Sequence, residues 1–198
     1  MFTGIIQKTA PIVRVRQNKG NLDVRIARPR GWRTLKGQSI IVDGICSTVT
    51  AFGAGHFDIT YMPETLKKTT ARFWKRGHLV NLERSLTLRD FIDGHLVQGH
   101  VDAAGRVLTI QSIKSDHVVA IELPPALMRF VAPKGSITIN GVSLTVVEKR
   151  KNNFTVALIP YTLAHTNWGE KKTGDKVNLE CDMLGKYLYK YAAKEGTK

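Results

Sequence analysis

Short runs of β-branched and aliphatic residues, each closed by a turn signal, recur along the whole chain, the pattern of an all-β barrel or sandwich. In the first half they predict strands over 5–16, 22–27, 39–42, 46–52, 56–61 and 79–83. In the second half the strands fall over 101–110, 118–123, 136–139, 143–149, 154–158 and 176–180. Polar and apolar positions alternate within them. Arg14 and Arg16 are interleaved with Val13 and Val15, and Arg25 sits between Val24 and Ile26, as on half-buried strands with one solvated face. Asp43-Gly44 and Asn140-Gly141 are hairpin signals, since these residue types tolerate positive φ. Short helical pieces are predicted over 63–70 and 160–167, opened by Pro63 and Pro160, whose missing N–H costs nothing in a first helical turn. A third is predicted over 124–131.

The two halves are versions of one another. Asp43-Gly44-Ile45-Cys46-Ser47-Thr48-Val49 returns 97 residues later as Asn140-Gly141-Val142-Ser143-Leu144-Thr145-Val146. At the same offset, Met62-Pro63-Glu64-Thr65-Leu66 matches Ile159-Pro160-Tyr161-Thr162-Leu163, and Val80-Asn81-Leu82-Glu83 matches Val177-Asn178-Leu179-Glu180. Solenoid units, at roughly 20–50 residues, are too short to bury a core, whereas a unit near 100 residues is domain-sized. Two similar small domains are expected, over 1–88 and 98–182, joined by a connection over 89–97 that has no counterpart in the repeat. The remaining segment, 183–198, places Leu184, Tyr187, Leu188 and Tyr191 on one helical stripe. Such an amphipathic helix outside both repeats packs on its own chain or joins an oligomer.

Composition narrows the functional classes. A chain of 198 residues, 42% hydrophobic and 23% charged, has material for two cores. No apolar run approaches the roughly 20 residues of a membrane span, and the start lacks a signal-peptide pattern, so a cytoplasmic protein with no membrane partner is expected. Cys46 and Cys181 occupy unrelated repeat positions, which argues against a disulfide framework. The net charge of +14 invites a nucleic-acid reading, but the cations are dispersed among strand faces, without a clustered basic run or an RNA-binding aromatic signature. No nucleic-acid partner is therefore expected. His95 and His100 lack the carboxylate or thiolate set of a zinc site, so no metal is expected either.

The opening Met1-Phe2-Thr3-Gly4-Ile5, the duplicated turns, Gly94-His95-Leu96-Val97-Gln98-Gly99-His100 and the two Pro-x-Thr-Leu blocks together resemble riboflavin synthase of the alpha-chain type, over essentially the whole chain. The resemblance implies two six-stranded Greek-key barrels and a C-terminal helix that joins a homotrimer, with active sites between subunits. It implies dismutation of two 6,7-dimethyl-8-ribityllumazine molecules to riboflavin and 5-amino-6-(ribitylamino)uracil, with no cofactor. Association with lumazine synthase is a further implied partnership. The alternative on the same fold is a noncatalytic lumazine- or flavin-binding protein, because function belongs to the site and not the scaffold.

Carried onto matching positions, the resemblance assigns a first pocket to Gly4, Ile5, Ile6, Cys46, Ser47, Thr48, Thr60, Tyr61, Met62, Pro63, Glu64, Thr65, Gly99, His100 and Val101. A second pocket receives Lys134, Ser143, Leu144, Thr145, Leu158, Ile159, Pro160, Tyr161, Thr162 and Leu163. Hydroxyls and main-chain groups suit the alternating donors and acceptors of a pteridine, while aliphatic side chains suit its faces. His100 is the expected base for the 7-methyl proton of the donor lumazine, because imidazole titrates near neutrality. Ser143 is expected to hold a nucleophilic water or hydroxyl at C7 of the acceptor, with Cys46 and Thr145 positioning or stabilising. Two positions depart from the family pattern: Asn140 where an acidic residue is common, and Ser47 where an aliphatic one is usual.

Overall fold

A computed structural model describes residues 1–113 and 116–195; the final three positions of the predicted C-terminal segment lie outside them. Among the described residues, β1 (Lys8–Asn18), β2 (Asn21–Ala27), β3 (Ser39–Val42), β4 (Ile45–Gly53), β5 (His56–Tyr61) and β6 (Leu79–Arg84) close one barrel in the order β1-β2-β5-β4-β3-β6. The second barrel is built from β7 (Ala103–Ile113), β8 (Asp116–Glu122), β9 (Ser136–Ile139), β10 (Val142–Lys149), β11 (Asn153–Leu158) and β12 (Lys176–Cys181), in the equivalent order. Every pairing is antiparallel, and the chain jumps from the second strand of each barrel to the third across two intervening strands. Closure leaves no sheet edge to aggregate.

Helix α1 (Pro63–Lys68) follows β5, α2 (Pro160–His165) follows β11, and both start on their proline. Each runs on into a 3₁₀ turn. The third expected helical piece is a 3₁₀ turn over Pro125–Phe130. Helix α3 (Met183–Glu195) ends the described chain.

Alternation builds the cores. Leu22, Val24 and Ile26 of β2 are buried against Phe57 and Ile59 of β5, and Val119 and Ile121 of β8 play the same part beside Phe154 and Val156. One expectation from alternation fails: Val13 lies outside. A bulge between Ile12 and Arg14 inserts a residue into β1 and moves Val13 out of phase, exposing it. Comparable register shifts occur at Val49/Ala51, Val107/Thr109 and Val146/Glu148, bending strands as closure demands. Arg25 is more than a solvated cation, because its guanidinium grips Asp58 at 2.7 and 2.8 Å.

The barrels meet turn to turn. Asp43, Gly44, Asn140 and Gly141 all have positive φ, between 47° and 82°, so both hairpins take the twist that favours two-residue connections. A Cβ added to Gly44 would lie 2.8 Å from the Gly141 nitrogen, and one on Gly141 would lie 2.9 Å from the Gly44 nitrogen. Around this approximate two-fold axis, Asn81 N donates to Asp43 Oδ1 and Asn178 N to Asn140 Oδ1, each at 2.8 Å. The same asparagines then reach across: Asn81 Nδ2 donates to the Asn140 carbonyl at 2.9 Å, and Asn178 Nδ2 to the Asp43 carbonyl at 2.7 Å.

The symmetry breaks at Asn167, which has Thr70 as its counterpart. Asn167 Nδ2 donates to Asp43 Oδ1 at 2.8 Å, whereas the buried Asn140 Nδ2 has no partner among the described residues. Burial pushes the Asp43 carboxyl up to about 7, against the opposing pull of Lys171 and of the Asn81 and Asn167 donors. A carboxyl whose folded value exceeds its unfolded 3.8 holds a proton that the unfolded chain releases. Its contribution to stability is therefore complete below about pH 4 and declines as pH rises through about 7. Asp43→Asn is expected to remove that decline and to gain roughly 2–4 kcal/mol over wild type on going from pH 4 to pH 8. Thermal melts of both proteins across this range check it; parallel slopes would show that Asp43 does not titrate in this way.

Candidate active site

The segments that precede β1 and β7 are related by an offset of 95, so Phe2, Thr3, Gly4 and Ile6 correspond to Val97, Gln98, Gly99 and Val101. These two straps cross. Phe2 and Val97 exchange backbone hydrogen bonds at 2.8 and 3.0 Å, and both are buried with Ile41 in a small apolar cluster that Cys46 abuts. Each strap then serves the other barrel. The Gly4 carbonyl accepts from Ser143 N of β10 at 2.8 Å, and Ile6 packs on the second core. Conversely, the Gly99 carbonyl accepts from Cys46 N of β4 at 2.8 Å, and Val101 packs on the first core.

Two buried carboxylates hold the straps. Glu83 accepts Thr3 N and Gly4 N at 2.7 and 3.0 Å; Glu180 accepts Gln98 N and Gly99 N at 2.8 and 2.9 Å. Burial raises the pKa of both, and these donors pull it back. Glycine is required at the crossings. Gly4 and Gly99 have φ of 78° and 77°, and a Cβ there would come within 2.7 Å of Ser143 Cβ or of Cys46 N respectively.

This crossing corrects the division of the pockets. Gly4, Ile5 and Ile6, expected in the first pocket with Cys46, lie with Ser143 on the second barrel. Gly99, His100 and Val101 do lie with Cys46. On β4 and β10, Cys46, Thr48, Ser143 and Thr145 face outward, while Ser47 and Leu144 turn into the cores. Val49 pairs with Ile59 and Val146 with Val156, so Thr60 falls beside Thr48, and Met62 and Ile159 fall beside Cys46 and Ser143. Met62, Pro63 and Glu64 are exposed with Thr65 half-buried behind them; Ile159, Pro160 and Tyr161 are exposed with Thr162 and Leu163 half-buried. Each barrel thus offers one open outer face. The Thr60 hydroxyl is engaged there by Asp23 at 2.7 Å. Lys134 occupies a left-handed turn with φ of 67°, is exposed, and bonds Val146 through its backbone.

Ser47, Tyr61, Leu144 and Leu158 cannot line an outer face. Alternation turns all four side chains into the cores, which leaves only their main chains to the outer face. In the first barrel Tyr61 donates its phenol proton to Ser47 Oγ at 2.7 Å, and Ser47 donates onward to the Ile45 carbonyl at 2.9 Å. The second barrel has Leu144 and Leu158 at these positions. Between the two halves both positions are therefore exchanged together, and the hydroxyls satisfy one another.

The polar chemistry of the second face centres on His95, which was not among the expected site residues. His95 Nδ1 lies 2.7 Å from Ser143 Oγ, and its Nε2 lies 3.2 Å from Thr138 Oγ1. Gly94 permits this, because a Cβ there would lie 2.2 Å from the Thr3 carbonyl, which also accepts from His95 N at 3.1 Å. Burial holds the His95 pKa below its ordinary value, with the Asp182 charge opposing. The imidazole is neutral at neutral pH, and the network suits the tautomer in which Nε2–H donates to Thr138 and Nδ1 accepts from Ser143. A hydroxyl paired with a neutral imidazole is an activated oxygen. His100, by contrast, is exposed on the first face beside Cys46, whose thiol is pushed up by burial and so stays protonated. The signal for His95 was present in its own block, Gly94-His95, but only the crossing of the straps reveals which serine it meets.

Two closed barrels with exchanged straps and a matched pair of outer faces define a small-ligand scaffold built twice. Residues 3–85 and 98–182 each match the lumazine binding domain. The riboflavin synthase of Actinobacillus pleuropneumoniae is 39% identical over 196 residues, covering 98% of this chain and 91% of that protein. That of Bacillus subtilis (strain 168) is 38% identical over 195 residues, with the same coverage. The chain belongs to the riboflavin synthase family. Among solved structures, LumP complexed with riboflavin superposes with a TM-score of 0.85 at 25% identity, over 92% of this chain and all of that one. LumP complexed with 6,7-dimethyl-8-(1'-D-ribityl) lumazine gives a TM-score of 0.83 at 24% identity, over 91% of this chain and 98% of that one.

The inward Ser47–Tyr61 pair generates a test that separates core from site. Ser47→Ala strands a buried phenol and is expected to cost about 1–3 kcal/mol, more than Tyr61→Phe; the double variant should lose less than the sum. Urea unfolding measures these costs. Titration of Ser47→Ala with 6,7-dimethyl-8-ribityllumazine should show unchanged affinity; a tenfold loss without a stability change would return Ser47 to the binding face.

Proposed function

We propose that this protein is a riboflavin synthase, converting two molecules of 6,7-dimethyl-8-ribityllumazine into riboflavin and 5-amino-6-(ribitylamino)uracil. The observation that carries the reading is the pair of matched outer faces, Cys46 with the Gly99 strap and Ser143 with the Gly4 strap, on a chain similar to riboflavin synthases over nearly its whole length. A dismutation needs two copies of one substrate held against each other, and two related faces supply that. Orientation of this kind recovers much of the entropy cost of a bimolecular step. Four carbons pass from one lumazine to the other, and atoms balance without an external oxidant or reductant.

The difference between the faces supports a division of roles. The second face holds the acceptor, where Ser143, its proton taken up by neutral His95, directs an oxygen nucleophile at C7. On the first face the donor loses a proton from its 7-methyl group to exposed His100. Thr48, Thr60, Thr65, Thr145 and Thr162 are placed to orient the ribityl and pteridine groups, with Ile5, Met62 and Ile159 against ring faces. Glu64 is offered to a ribityl hydroxyl and Lys134 to the ligand's carbonyl edge.

Both faces are open, and α3 presents Leu184, Tyr187, Leu188 and Tyr191 to solvent, each more than half exposed. A homotrimer, with α3 as the joining element and each site shared between the first barrel of one copy and the second of another, closes these surfaces. The same reading places the protein in the cytoplasm, where Cys46 and Cys181 stay reduced. Association with lumazine synthase belongs to it as well. No helix among the described residues is long and apolar enough to cross a membrane.

Purified protein given 6,7-dimethyl-8-ribityllumazine alone should form one riboflavin per two lumazines consumed, measured by chromatography; saturable binding without product would assign it to the carrier class instead. In the same assay His95→Gln is expected to lower kcat by about 100-fold with little change in KM. The advantage of wild type over His95→Gln should be lost on the acid side only below pH 6.5, because the buried His95 protonates below its ordinary value and then no longer accepts from Ser143. Loss of that advantage above pH 6.5, or wild-type rates in the His95 variant, would take the Ser143 proton away from His95.

A further inference from the structure

The strap that carries His100 is fastened to α3, and the opposite strap has no such fastening. Asp102, two residues beyond His100, donates its N–H to the Leu179 carbonyl at 2.8 Å and accepts Cys181 N on Oδ2 at 2.8 Å. Its counterpart is Gln7, whose N–H meets the Leu82 carbonyl at 3.0 Å and whose Oε1 accepts Arg84 N at 3.3 Å. The two clasps are the same device at equivalent positions. At the first, Arg84 Nε also reaches Gln7 Oε1, at 3.3 Å, from the same strand. Only the second is built on a carboxylate, and only there does the further group come from a helix: Lys186 Nζ of α3, at 2.8 Å from Oδ1 and 2.7 Å from Oδ2. Both side chains are mostly buried, at 26% and 19% exposure, so the pair is shielded from the screening that weakens surface ion pairs.

Helix α3 has two faces. Lys186 and Tyr189 point to the barrel, where the Tyr189 ring meets Phe130 edge-on at 5.5 Å and its hydroxyl accepts from Arg129 at 3.1 Å. Leu184, Tyr187, Leu188 and Tyr191 lie on the other side, exposed. The helix thus has one seat on the 3₁₀ turn before β9 and a second on the strap before β7.

We propose that Lys186 is a positioning residue for His100, acting through Asp102: the ion pair ties the placement of α3 to the placement of the strap over Gln98–Asp102, and so to the first binding face. An assembly held through the apolar side of α3 then sets the strap at the same time. The turnover arm rests on the riboflavin synthase reading; the coupling itself does not.

The test compares Lys186→Met, which removes the charge from the helix side, with Asp102→Asn, which removes it from the strap and leaves α3 untouched; Arg106→Gln, at an exposed pair with Glu122, is the control. Hydrogen exchange of peptides spanning Gln98–Asp102 is expected to speed up by about tenfold in both variants, with β2 and β5 unchanged. kcat for lumazine should fall by about fivefold to tenfold, with KM moving less and with wild-type values in the control. Lys186→Arg, which keeps the charge, should restore both readouts. Unchanged strap exchange in Lys186→Met overturns the coupling, and does so most clearly if Asp102→Asn alone loosens the strap. Faster exchange with wild-type kcat overturns the positioning role. If wild type itself turns over no lumazine, the functional reading falls, and strap exchange alone decides the coupling.

Discussion

Everything in this molecule depends on how closely two backbones approach at the Gly44–Gly141 crossing. With no side chain on either glycine, the turns press together, and Asn81 and Asn178 reach carbonyls on the opposite barrel. A methyl group there would force the barrels apart by more than the van der Waals tolerance of packed atoms. The strap crossing lies on the same axis and needs the same closeness, since Gly4 and Gly99 lean on the strands that follow those turns. Turn, asparagine and strap are therefore one arrangement.

On that symmetric frame the differences are few and local. Ser143 has an imidazole and Cys46 does not; Asp43 is an acid where Asn140 is an amide; Ser47 and Tyr61 form a polar pair where Leu144 and Leu158 form an apolar one. None of these changes alters the course of the backbone. The Ser47–Tyr61 exchange shows how: a single hydroxyl inside a barrel would be stranded, whereas two, with a carbonyl to finish the chain of donors, are satisfied. The Asp43 exchange is handled by Asn167, whose amide donates to the carboxylate at the position where the other half has Thr70.

Much of this was legible in the sequence. Strand positions over 39–42, 56–61 and 136–139 match the structure residue for residue, because turn residues bound them sharply and β-branched residues fill them. The α3 stripe was readable from its spacing. Val13 was misplaced because a bulge has no signature in alternation. The division of the pockets rests on the resemblance, and the offset of 97 that relates the later blocks does not expose its error. The connection from β2 to β3 has 11 residues and that from β8 to β9 has 13, so everything before it repeats at 95. Gly4 and Gly99, read at the wrong offset, had no visible relationship, and their exchange between barrels hid the meeting of His95 with Ser143. The inward turn of Ser47 and Tyr61 was available from strand alternation but was outweighed by the resemblance.

The exchanged straps also settle what counts as a unit. Each barrel looks self-sufficient, with six strands and its own core, yet each borrows from the other the segment that packs beside its outer face. Cutting the connection between them would leave two barrels, each holding a strap that packs on the other. Duplication here has doubled the architecture without conferring independence, and the smallest piece of this protein that can own a complete face is the whole chain.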